Sequence, residues 1–389
     1  MLDAFIYDGL RSPFGRHAGQ LAGVRPDDLA AEVIKALLAR SSFGAADVED
    51  VILGCANQAG EDSRNVARHA ALLSGLSLAI PGKTVNRLCA SGLEAVLDAA
   101  RGVTSGEGAL FVAGGVESMS RAPFALAKSE SPYARDVKMF DTALGARFPN
   151  PRIAKAFGSD TMPETGDNVA REHGVTRFDA DTFAAGSQSK YAAAKADGFF
   201  AAEIVPVAVA EDEHPRPGTT VEALAKLKPL FAGGVVTAGN ASGINDGAAA
   251  LLVGNRAVGE SSGMKPLARI VASAAVGVEP RVMGIGPAYA IPKALERAGL
   301  ALKQVDVIEI NEAFASQVLA CLKILGIPFD DARVNPNGGA IAIGHPLGAS
   351  GARLALTAAR QLQRTGGRYA VVSLCIGVGQ GLAAVIERA

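Results

Sequence analysis

Cys89 lies in a stretch whose residue types fit a reactive thiol. The run Asn86-Arg-Leu-Cys89-Ala-Ser-Gly follows a strand-like Lys83–Val85 and opens a helical pattern, which predicts the thiol at a turn near a helix N-terminus. Backbone N–H groups and the positive end of the helix dipole stabilise a thiolate there, so we expect a lowered pKa for Cys89. A buried core cysteine is the competing interpretation, because isolated cysteines are among the most buried residues.

His345, one of five histidines, occupies a glycine-rich loop that also precedes a helical pattern. The loop reads Asn335-Pro-Asn-Gly-Gly-Ala-Ile-Ala-Ile-Gly-His345-Pro-Leu-Gly-Ala-Ser-Gly351. Such a loop is suited to hold an imidazole at a fixed point, where it can act as a general base. A phosphate-cradling loop or an ordinary strand–helix turn is the alternative, although no Gly-Lys-Ser/Thr follows the glycines.

Two further strand ends carry groups that fit the same chemistry. Cys375 precedes Ile-Gly-Val-Gly-Gln-Gly381, where exposed glycine N–H groups could form an oxyanion hole. Asn311 begins Asn-Glu-Ala-Phe-Ala315, which could also be an ordinary helix start. Two thiols, an imidazole and an amide together fit acyl transfer: a thiolate attacks a thioester or ketone carbonyl, and the second thiol exchanges protons with the other reactant. A cysteine hydrolase would leave Cys375 unexplained.

Seven short apolar runs are predicted as the strands that position these residues: Ala4–Asp8, Asp50–Gly54, Leu110–Ala113, Ala268–Ala274, Asp306–Ile310, Ala370–Leu374 and Ala383–Glu387. They alternate with alanine-rich helical patterns, which predicts an α/β fold with a mainly parallel, covered sheet. The chain also repeats itself, because Ser91-Gly92 before Ala99-Ala100-Arg101 recurs 259 positions later as Ser350-Gly351 before Ala358-Ala359-Arg360. We therefore predict two duplicated halves.

The predicted domain organisation has three parts. Residues 1–116 and 246–265 form the N-terminal half, and residues 266–389 form the C-terminal half. Residues 117–245 interrupt the pattern with segments rich in Pro, Asp, Glu and Ser, and contain a predicted helix at Arg177–Gly198. This segment is predicted to be an inserted cap, or loop domain, over the site.

Composition narrows the class of protein. The 389 residues are 49% hydrophobic and 20% charged, which is typical of a globular protein. Lysine and arginine (38) nearly balance aspartate and glutamate (39), so no broad basic surface for nucleic acid is expected. No apolar run approaches a membrane span, and the N-terminus lacks the features of a signal peptide. The four cysteines are far apart, so we expect no disulfide and no metal site, and a cytoplasmic location.

The four motifs resemble those of the thiolase family, which comprises acetyl-CoA acetyltransferases and 3-ketoacyl-CoA thiolases. The resemblance spans nearly the whole chain, from Arg11-Ser-Pro-Phe-Gly15 and Gly114-Gly-Val-Glu-Ser-Met-Ser120 to Cys375–Gly381. Further similarity is to the 3-oxoadipyl-CoA thiolases of aromatic catabolism. It rests on Gly54-Cys-Ala-Asn-Gln-Ala-Gly-Glu-Asp62, Arg64-Asn-Val-Ala-Arg68, Met162-Pro-Glu-Thr165 and Asn335–Gly339.

The resemblance implies a role for each motif residue. Cys89 would be the acyl-accepting nucleophile, His345 its base, and Cys375 the group that deprotonates the second reactant or the CoA thiol. Asn311 would hold a water that forms one oxyanion site with His345, and the N–H groups of Cys89 and Gly377 would form the other. The residues implied to contact coenzyme A are Ser242, Arg216, Phe231, Met162 and Phe314. Coenzyme A and acetyl-CoA would be substrates, with no tightly bound cofactor.

The family also implies mixed-sheet halves layered as α-β-α-β-α with an inserted loop domain, assembled as homodimers or homotetramers. Three departures from the family pattern stand out: Ala90 and Val378 replace frequent glycines, and the connection from Val207 to Asp212 is several residues shorter, which leaves the placement of Arg216 open. A carboxylate at the far end of the acyl chain would need a cation, for which Arg64, Arg68 and Arg87 are candidates by position. A ketoacyl synthase, which usually pairs cysteine with two histidines, and a noncatalytic relative that binds CoA or lipid are the alternatives.

Overall fold

The computed structural model describes residues 1–389. Its strands are β1 (Ala4–Arg11), β2 (Gly15–Arg16), β3 (Asp50–Gly54), β4 (Gly82–Val85), β5 (Leu110–Ser118), β6 (Phe124–Leu126), β7 (Met139–Asp141), β8 (Asn245–Gly254), β9 (Ala268–Gly277), β10 (Val307–Ile310), β11 (Tyr369–Ile376) and β12 (Gln380–Arg388). Its helices are α1 (Pro26–Arg40), α2 (Val66–Leu73), α3 (Ser91–Ser105), α4 (Pro151–Phe157), α5 (Met162–His173), α6 (Arg177–Ala196), α7 (Val221–Ala225), α8 (Arg256–Ser262), α9 (Gly286–Ala298), α10 (Ala315–Leu325), α11 (Ala340–Ile343) and α12 (Leu347–Thr365).

The strand order displays the duplication. Nine strands run in the order β10-β11-β12-β9-β1-β8-β5-β3-β4, with β2 paired to β8. The sequence β10-β11-β12-β9 on one side mirrors β3-β5-β8-β1 on the other, and β4 is an extra edge strand. The halves meet where β1 and β9 pair over three residue pairs, Ala4–Ile6 against Ala268–Ile270. The predicted α/β fold of two like halves is confirmed.

The prediction of a mainly parallel sheet is wrong. Within this sheet, β3 with β4, β3 with β5, and β10 with β11 are parallel, whereas the remaining pairings are antiparallel. One reason is that only Gly377–Gly379 separate β11 from β12, a connection too short for a parallel crossover. The other is β8, an unpredicted strand of ten buried residues that lies antiparallel between β1 and β5. A fully buried, alanine-rich strand shows no alternation that would reveal it.

Three apolar cores define the layers. The largest core joins α3 and α12 to strands of both halves, so these two helices form the middle layer. A second core packs α1 and α2 on the other face of the N-terminal strands, and a third packs α9 and α10 on the other face of the C-terminal strands. The result is the layered α-β-α-β-α arrangement that the family resemblance implies.

The segment between β5 and β8 contains the short hairpin β6–β7 and helices α4 to α7. The helix predicted at Arg177–Gly198 is present as α6, and Gly198 follows it with a φ of +74°. In the shortened connection the chain reverses tightly, because Val207 bridges Val209 and Ala208 has a φ of +56°. None of the helices combines the length and the apolar character that a membrane span requires. His, Cys, Asp and Glu side chains nowhere cluster in threes or more in a way that would suit a metal ion.

Candidate active site

Asn311 and Cys375 lie together because they end neighbouring parallel strands. Residues of β10 pair with β11 in register, ending at Ile310 opposite Ser373, and the Asn311 N–H donates to the Ser373 carbonyl at 2.9 Å. The carboxyl ends of parallel strands meet at one edge of a sheet, which is where functional side chains of α/β proteins collect. Cys375 is buried there in a small apolar cluster that includes Phe314.

Cys89 sits on a constrained turn between β4 and α3. Residues Leu88–Ala90 form one 3-10 turn, and Leu88 has a φ of +47°, a left-handed conformation that is unusual for a leucine. The strained residue is held on both sides: its N–H donates to Asn86 Oδ1 at 2.9 Å, and its carbonyl accepts from Ser91 Oγ at 2.6 Å. Of the four cysteines, Cys89 is partly exposed and the other three are buried.

Three polar contacts fix His345. Its backbone N–H donates to Asn245 Oδ1 at 2.9 Å, which ties the glycine-rich loop to the start of β8. Its Nδ1 is 2.7 Å from Ser350 Oγ, and its Nε2 is 3.3 Å from Asn311 Nδ2. The imidazole is buried, so the contacts on its two nitrogens determine which of them carries the proton.

Close packing of the two middle helices brings Cys89 and His345 to one junction. A Cβ on Gly92 of α3 would lie 2.3 Å from the Gly348 carbonyl oxygen of α12, so only glycine permits this backbone contact. The Leu88–Ala90 turn also packs against both α12 and β11. The predicted residues Cys89, His345, Asn311 and Cys375 therefore approach one another from four elements: the turn before α3, the loop that leads into α12, the end of β10 and the end of β11.

The expected lowering of the Cys89 pKa is wrong for the unliganded protein. Burial of the sulfur raises its pKa to about 11, although N–H groups of Gly377 and of Cys89 itself donate to it and act in the opposite direction. Desolvation of the charged form therefore outweighs the stabilisation expected at a helix start. Cys89 is a protonated thiol at neutral pH, and it requires a base.

The other two titratable groups are also neutral at pH 7. Burial lowers the pKa of His345 to about 3, and the nearby positive charge of Arg353 adds to this effect. Burial raises the pKa of the Cys375 thiol well above its ordinary value, and the proximity of Cys89 raises it further. A neutral imidazole can accept a proton from one thiol, and the other thiol can donate its proton and afterwards, as a thiolate, accept one.

Two of the residues predicted to contact coenzyme A lie at this edge of the sheet. Phe314 is buried beside Cys375, and its backbone bridges Ala241. Ser242 follows Ala241 and its N–H donates to the Ala313 carbonyl at 3.0 Å, which joins the loop before β8 to the Asn311–Ala315 motif.

The other three residues assigned to coenzyme A lie in the inserted segment. Met162 is the first residue of α5, and Phe231 precedes the loop that leads to β8; 38% and 40% of their surfaces are exposed. Arg216 lines a cavity of about 180 Å³, together with His214 and Leu227. Its N–H donates to Gln188 Oε1 at 2.9 Å, so the shortened connection still anchors Arg216 on α6.

Sequence reasoning missed two residues that organise the site. Ser350 contacts the His345 ring, and the repeat analysis singled it out without giving it a function. Glu117 is the penultimate residue of β5, within the Gly114–Ser120 motif. Its carboxylate accepts from the N–H groups of Ala56, Asn57 and Gly348, each at 2.9 Å. The sequence feature that could have identified Glu117 is a carboxylate near the end of an otherwise apolar strand. Burial raises the pKa of Glu117 to about 7.

Comparison with known proteins covers the whole chain. Two family models match, "Thiolase, N-terminal domain" over residues 4–257 and "Thiolase, C-terminal domain" over residues 264–388. A beta-ketoadipyl-CoA thiolase of Acinetobacter baylyi is 57% identical, and the 3-oxoadipyl-CoA/3-oxo-5,6-dehydrosuberyl-CoA thiolase of Escherichia coli K12 is 55% identical, each over 100% of both chains. Among solved structures, human mitochondrial 3-ketoacyl-CoA thiolase in complex with CoA is 38% identical with a TM-score of 0.93, covering 100% of this chain and 98% of that one. The acetyl-CoA acetyltransferase of Bacillus anthracis has the same TM-score and 38% identity, covering 100% of this chain and 99% of that one.

Proposed function

Because this chain belongs to the thiolase family and is therefore an acyltransferase, we propose that it cleaves 3-oxoadipyl-CoA with coenzyme A through an acyl-Cys89 intermediate. The full-length identity of 55–57% to β-ketoadipyl-CoA thiolases supports the substrate. The contact of His345 Nε2 with Asn311, beside the one partly exposed cysteine, is the observation that carries the chemistry. Acetoacetyl-CoA is the second candidate substrate, since an acetyl-CoA acetyltransferase of Escherichia coli K12 is 46% identical over the whole chain.

The first half-reaction acylates Cys89. His345 Nε2 takes the thiol proton while the sulfur attacks the C3 keto carbon of the substrate. The C2–C3 bond then breaks, its electron pair forms the enolate of acetyl-CoA, and Cys375 protonates that carbon. The products are acetyl-CoA and succinyl-Cys89. In the second half-reaction the Cys375 thiolate takes the proton of the incoming CoA thiol, and the CoA sulfur attacks the acyl carbonyl. The Cys89 sulfur leaves and regains its proton from His345 as succinyl-CoA forms.

Two donor sets are proposed to stabilise the oxyanions. The N–H groups of Cys89 and Gly377 converge on the Cys89 sulfur, so a carbonyl oxygen of an attached acyl group is within their reach. Asn311 and a water that it holds would form the second site with His345. The buried Asn311 Oδ1 has no protein partner, which supports a water at this position.

The proposed CoA site uses Ser242, Arg216, Phe231, Met162 and Phe314. Exposed apolar side chains of Met162 and Phe231 provide surface for the pantetheine arm, and the unpaired guanidinium of Arg216 is suited to a phosphate. Residues 117–245 would then act as a cap between the halves 1–116 with 246–265 and 266–389, so that the thioester reacts away from bulk water.

We also propose a cytoplasmic homodimer or homotetramer. Four unpaired cysteines favour a reducing compartment. The edge strand β4 has one side free for pairing, and Phe124, Leu126 and Met139 of the β6–β7 hairpin expose more than half of their surfaces. Light scattering of the purified protein measures the assembly directly, and a monomer at micromolar concentration would contradict the proposal.

Cysteine variants test the two half-reactions separately. In Cys89→Ala, acetyl-CoA should no longer add the mass of one acetyl group to the protein. In Cys375→Ala, this labelling should persist while condensation and thiolysis are lost, because the nucleophile and its base remain. Cys321→Ala is the matched control, since Cys321 is a buried cysteine of α10, and it should keep both half-reactions. Undiminished labelling of Cys89→Ala would disprove the nucleophile assignment.

Arg87 is the proposed partner of the substrate's distal carboxylate. Among the three candidates, the Arg68 guanidinium is bonded to the carbonyls of Leu78 and Ile80, and Arg64 is exposed. Arg87 lies two residues before Cys89, and its guanidinium donates to Gln380 Oε1, beside the Cys375 loop, at 3.3 Å. The guanidinium also forms a salt bridge with Glu94.

Thiolysis of both substrates tests the Arg87 assignment. Arg87→Gln should lower kcat/KM for 3-oxoadipyl-CoA by roughly tenfold or more while changing that for acetoacetyl-CoA much less, because only the first substrate loses an ion pair. Arg68→Gln, which removes the same charge, should leave the ratio unchanged. Equal use of both substrates by the wild type would rule out the proposed specificity.

A further inference from the structure

We propose that Ser350 is a positioning residue that fixes the tautomer of His345, holding the ring proton on Nδ1 so that Nε2 is free to accept the Cys89 proton. The proposal rests on the proposed role of His345 as base and names the group that makes it competent. Ser350 lies on the first turn of α12 and is buried, as is the imidazole.

A hydroxyl group has a single hydrogen, and this determines the direction of the Ser350 contacts. Ser350 Oγ donates to the Pro346 carbonyl at 2.9 Å. With that hydrogen committed, the oxygen can only accept at its second contact, 2.7 Å from His345 Nδ1. Nδ1 therefore carries the proton, and Nε2 of the neutral ring carries a lone pair.

The contact on the opposite side of the imidazole ring indicates the same tautomer. Asn311 Nδ2 is an N–H donor that lies 3.3 Å from Nε2, so Nε2 must be the acceptor there. Since burial keeps the ring neutral, it holds one proton, and the two contacts agree on its location. The other tautomer would turn both contacts around, with Ser350 donating to Nδ1 and the Asn311 amide oxygen facing Nε2.

The duplicated half provides the matched control. Ser91 is the equivalent of Ser350 in the repeat, is equally buried, and lies on the first turn of α3. Its Oγ donates to the Leu88 carbonyl at 2.6 Å and accepts from the Arg87 N–H at 2.9 Å, so it supports the backbone of the Cys89 turn without contacting the imidazole. Removing either hydroxyl deletes a buried hydrogen-bonding group, but only Ser350 acts on His345.

Nitrogen NMR of histidine labelled with ¹⁵N tests the inference, because protonated and bare ring nitrogens resonate far apart. His345 is assigned as the signal lost in His345→Asn. In the free wild type at pH 7 we expect Nδ1–H with bare Nε2, and Ser350→Ala should shift or average these signals. Ser350→Thr, which retains the hydroxyl, should restore them, and Ser91→Ala should leave them as in the wild type.

The rate at which acetyl-CoA acylates Cys89 tests the same inference by its effect on catalysis. We expect Ser350→Ala to slow this step by roughly 10- to 100-fold, the usual effect of removing a group that orients a functional histidine. A wild-type spectrum with Nε2–H, or Ser350→Ala with unchanged signals and an unchanged acylation rate, would overturn the inference even in an active thiolase. Absence of thiolysis by the wild type would instead refute the proposed function and leave the tautomer result standing.

Discussion

Burial displaces the pKa values of Cys89 and His345 in opposite directions, to about 11 and about 3. Each shift favours the neutral form, because desolvation penalises a thiolate and an imidazolium alike. In the free enzyme Cys89 and His345 therefore do not form a thiolate–imidazolium pair. In the proposed mechanism, proton transfer becomes favourable only when an acyl carbonyl is present to receive the negative charge under the donors of the proposed oxyanion sites. This restricts reactivity to the bound thioester.

Alkylation of the free enzyme by iodoacetamide checks this prediction. Only the thiolate reacts, so a pKa of about 11 means that the rate at Cys89 should rise about tenfold per pH unit between pH 7 and 9 without levelling off. The rate is measured as the mass of the peptide containing Cys89, and the buried Cys321 should remain unmodified in the same samples. A plateau below pH 8 would mean that the helix start lowers the pKa after all.

At the scale of elements, the sequence predicted individual strands and helices better than the contacts between them. The strand Asp50–Gly54 has its predicted bounds, and the helix predicted at Arg177–Gly198 differs only at its end. Both are set by local pattern and by a terminal glycine. The strand β8 was missed because burial on both faces removes alternation. Cys89 and His345 were recognised as strand-end or loop residues, but the contact of His345 with Asn311 and Ser350 depends on how α12 lies, which no local pattern specifies.

The junction of α3 and α12 provides the prediction at this scale. Gly92→Ala would place a methyl group 2.3 Å from the Gly348 carbonyl oxygen, so the helix starts must separate. We expect a loss of stability of roughly 1–3 kcal/mol, typical of overpacking, together with a fall in Cys89 acylation larger than the loss of folded protein. Thermal unfolding and acylation of the folded fraction measure the two effects.

Gly186→Ala is the control for this glycine. Gly186 lies within α6 and has open space around its Cα, so a methyl group should be neutral or stabilise the helix by about 1 kcal/mol. Normal acylation by Gly92→Ala would show that the close approach of the helices does not position the nucleophile.

At the scale of the whole molecule, one buried ion network connects the three parts of the chain. Arg11 at the end of β1 contacts Glu203 and Asp212 of the inserted segment, at 2.8 Å and 2.6 Å, and all three side chains are inaccessible to solvent or nearly so. Asp212 also accepts from the Phe14 N–H at 2.8 Å, and Thr357 of α12 approaches Glu203 at 3.4 Å. The inserted segment therefore has a polar anchor on both halves, close to the connection that leads to Arg216.

Arg11→Met tests whether this network holds the inserted segment in place. The methionine occupies similar space but leaves two carboxylates buried without their cation, and breaking a buried ion pair in this way costs roughly 3–5 kcal/mol. Urea unfolding of the variant and the wild type should reveal this loss as a lower free energy of unfolding. Arg16→Met removes an equal charge from an exposed arginine nearby and should change stability by no more than about 0.5 kcal/mol. If Arg11→Met were as stable as Arg16→Met, packing rather than charge would anchor the segment, and the proposed CoA residues of the segment would not depend on the network.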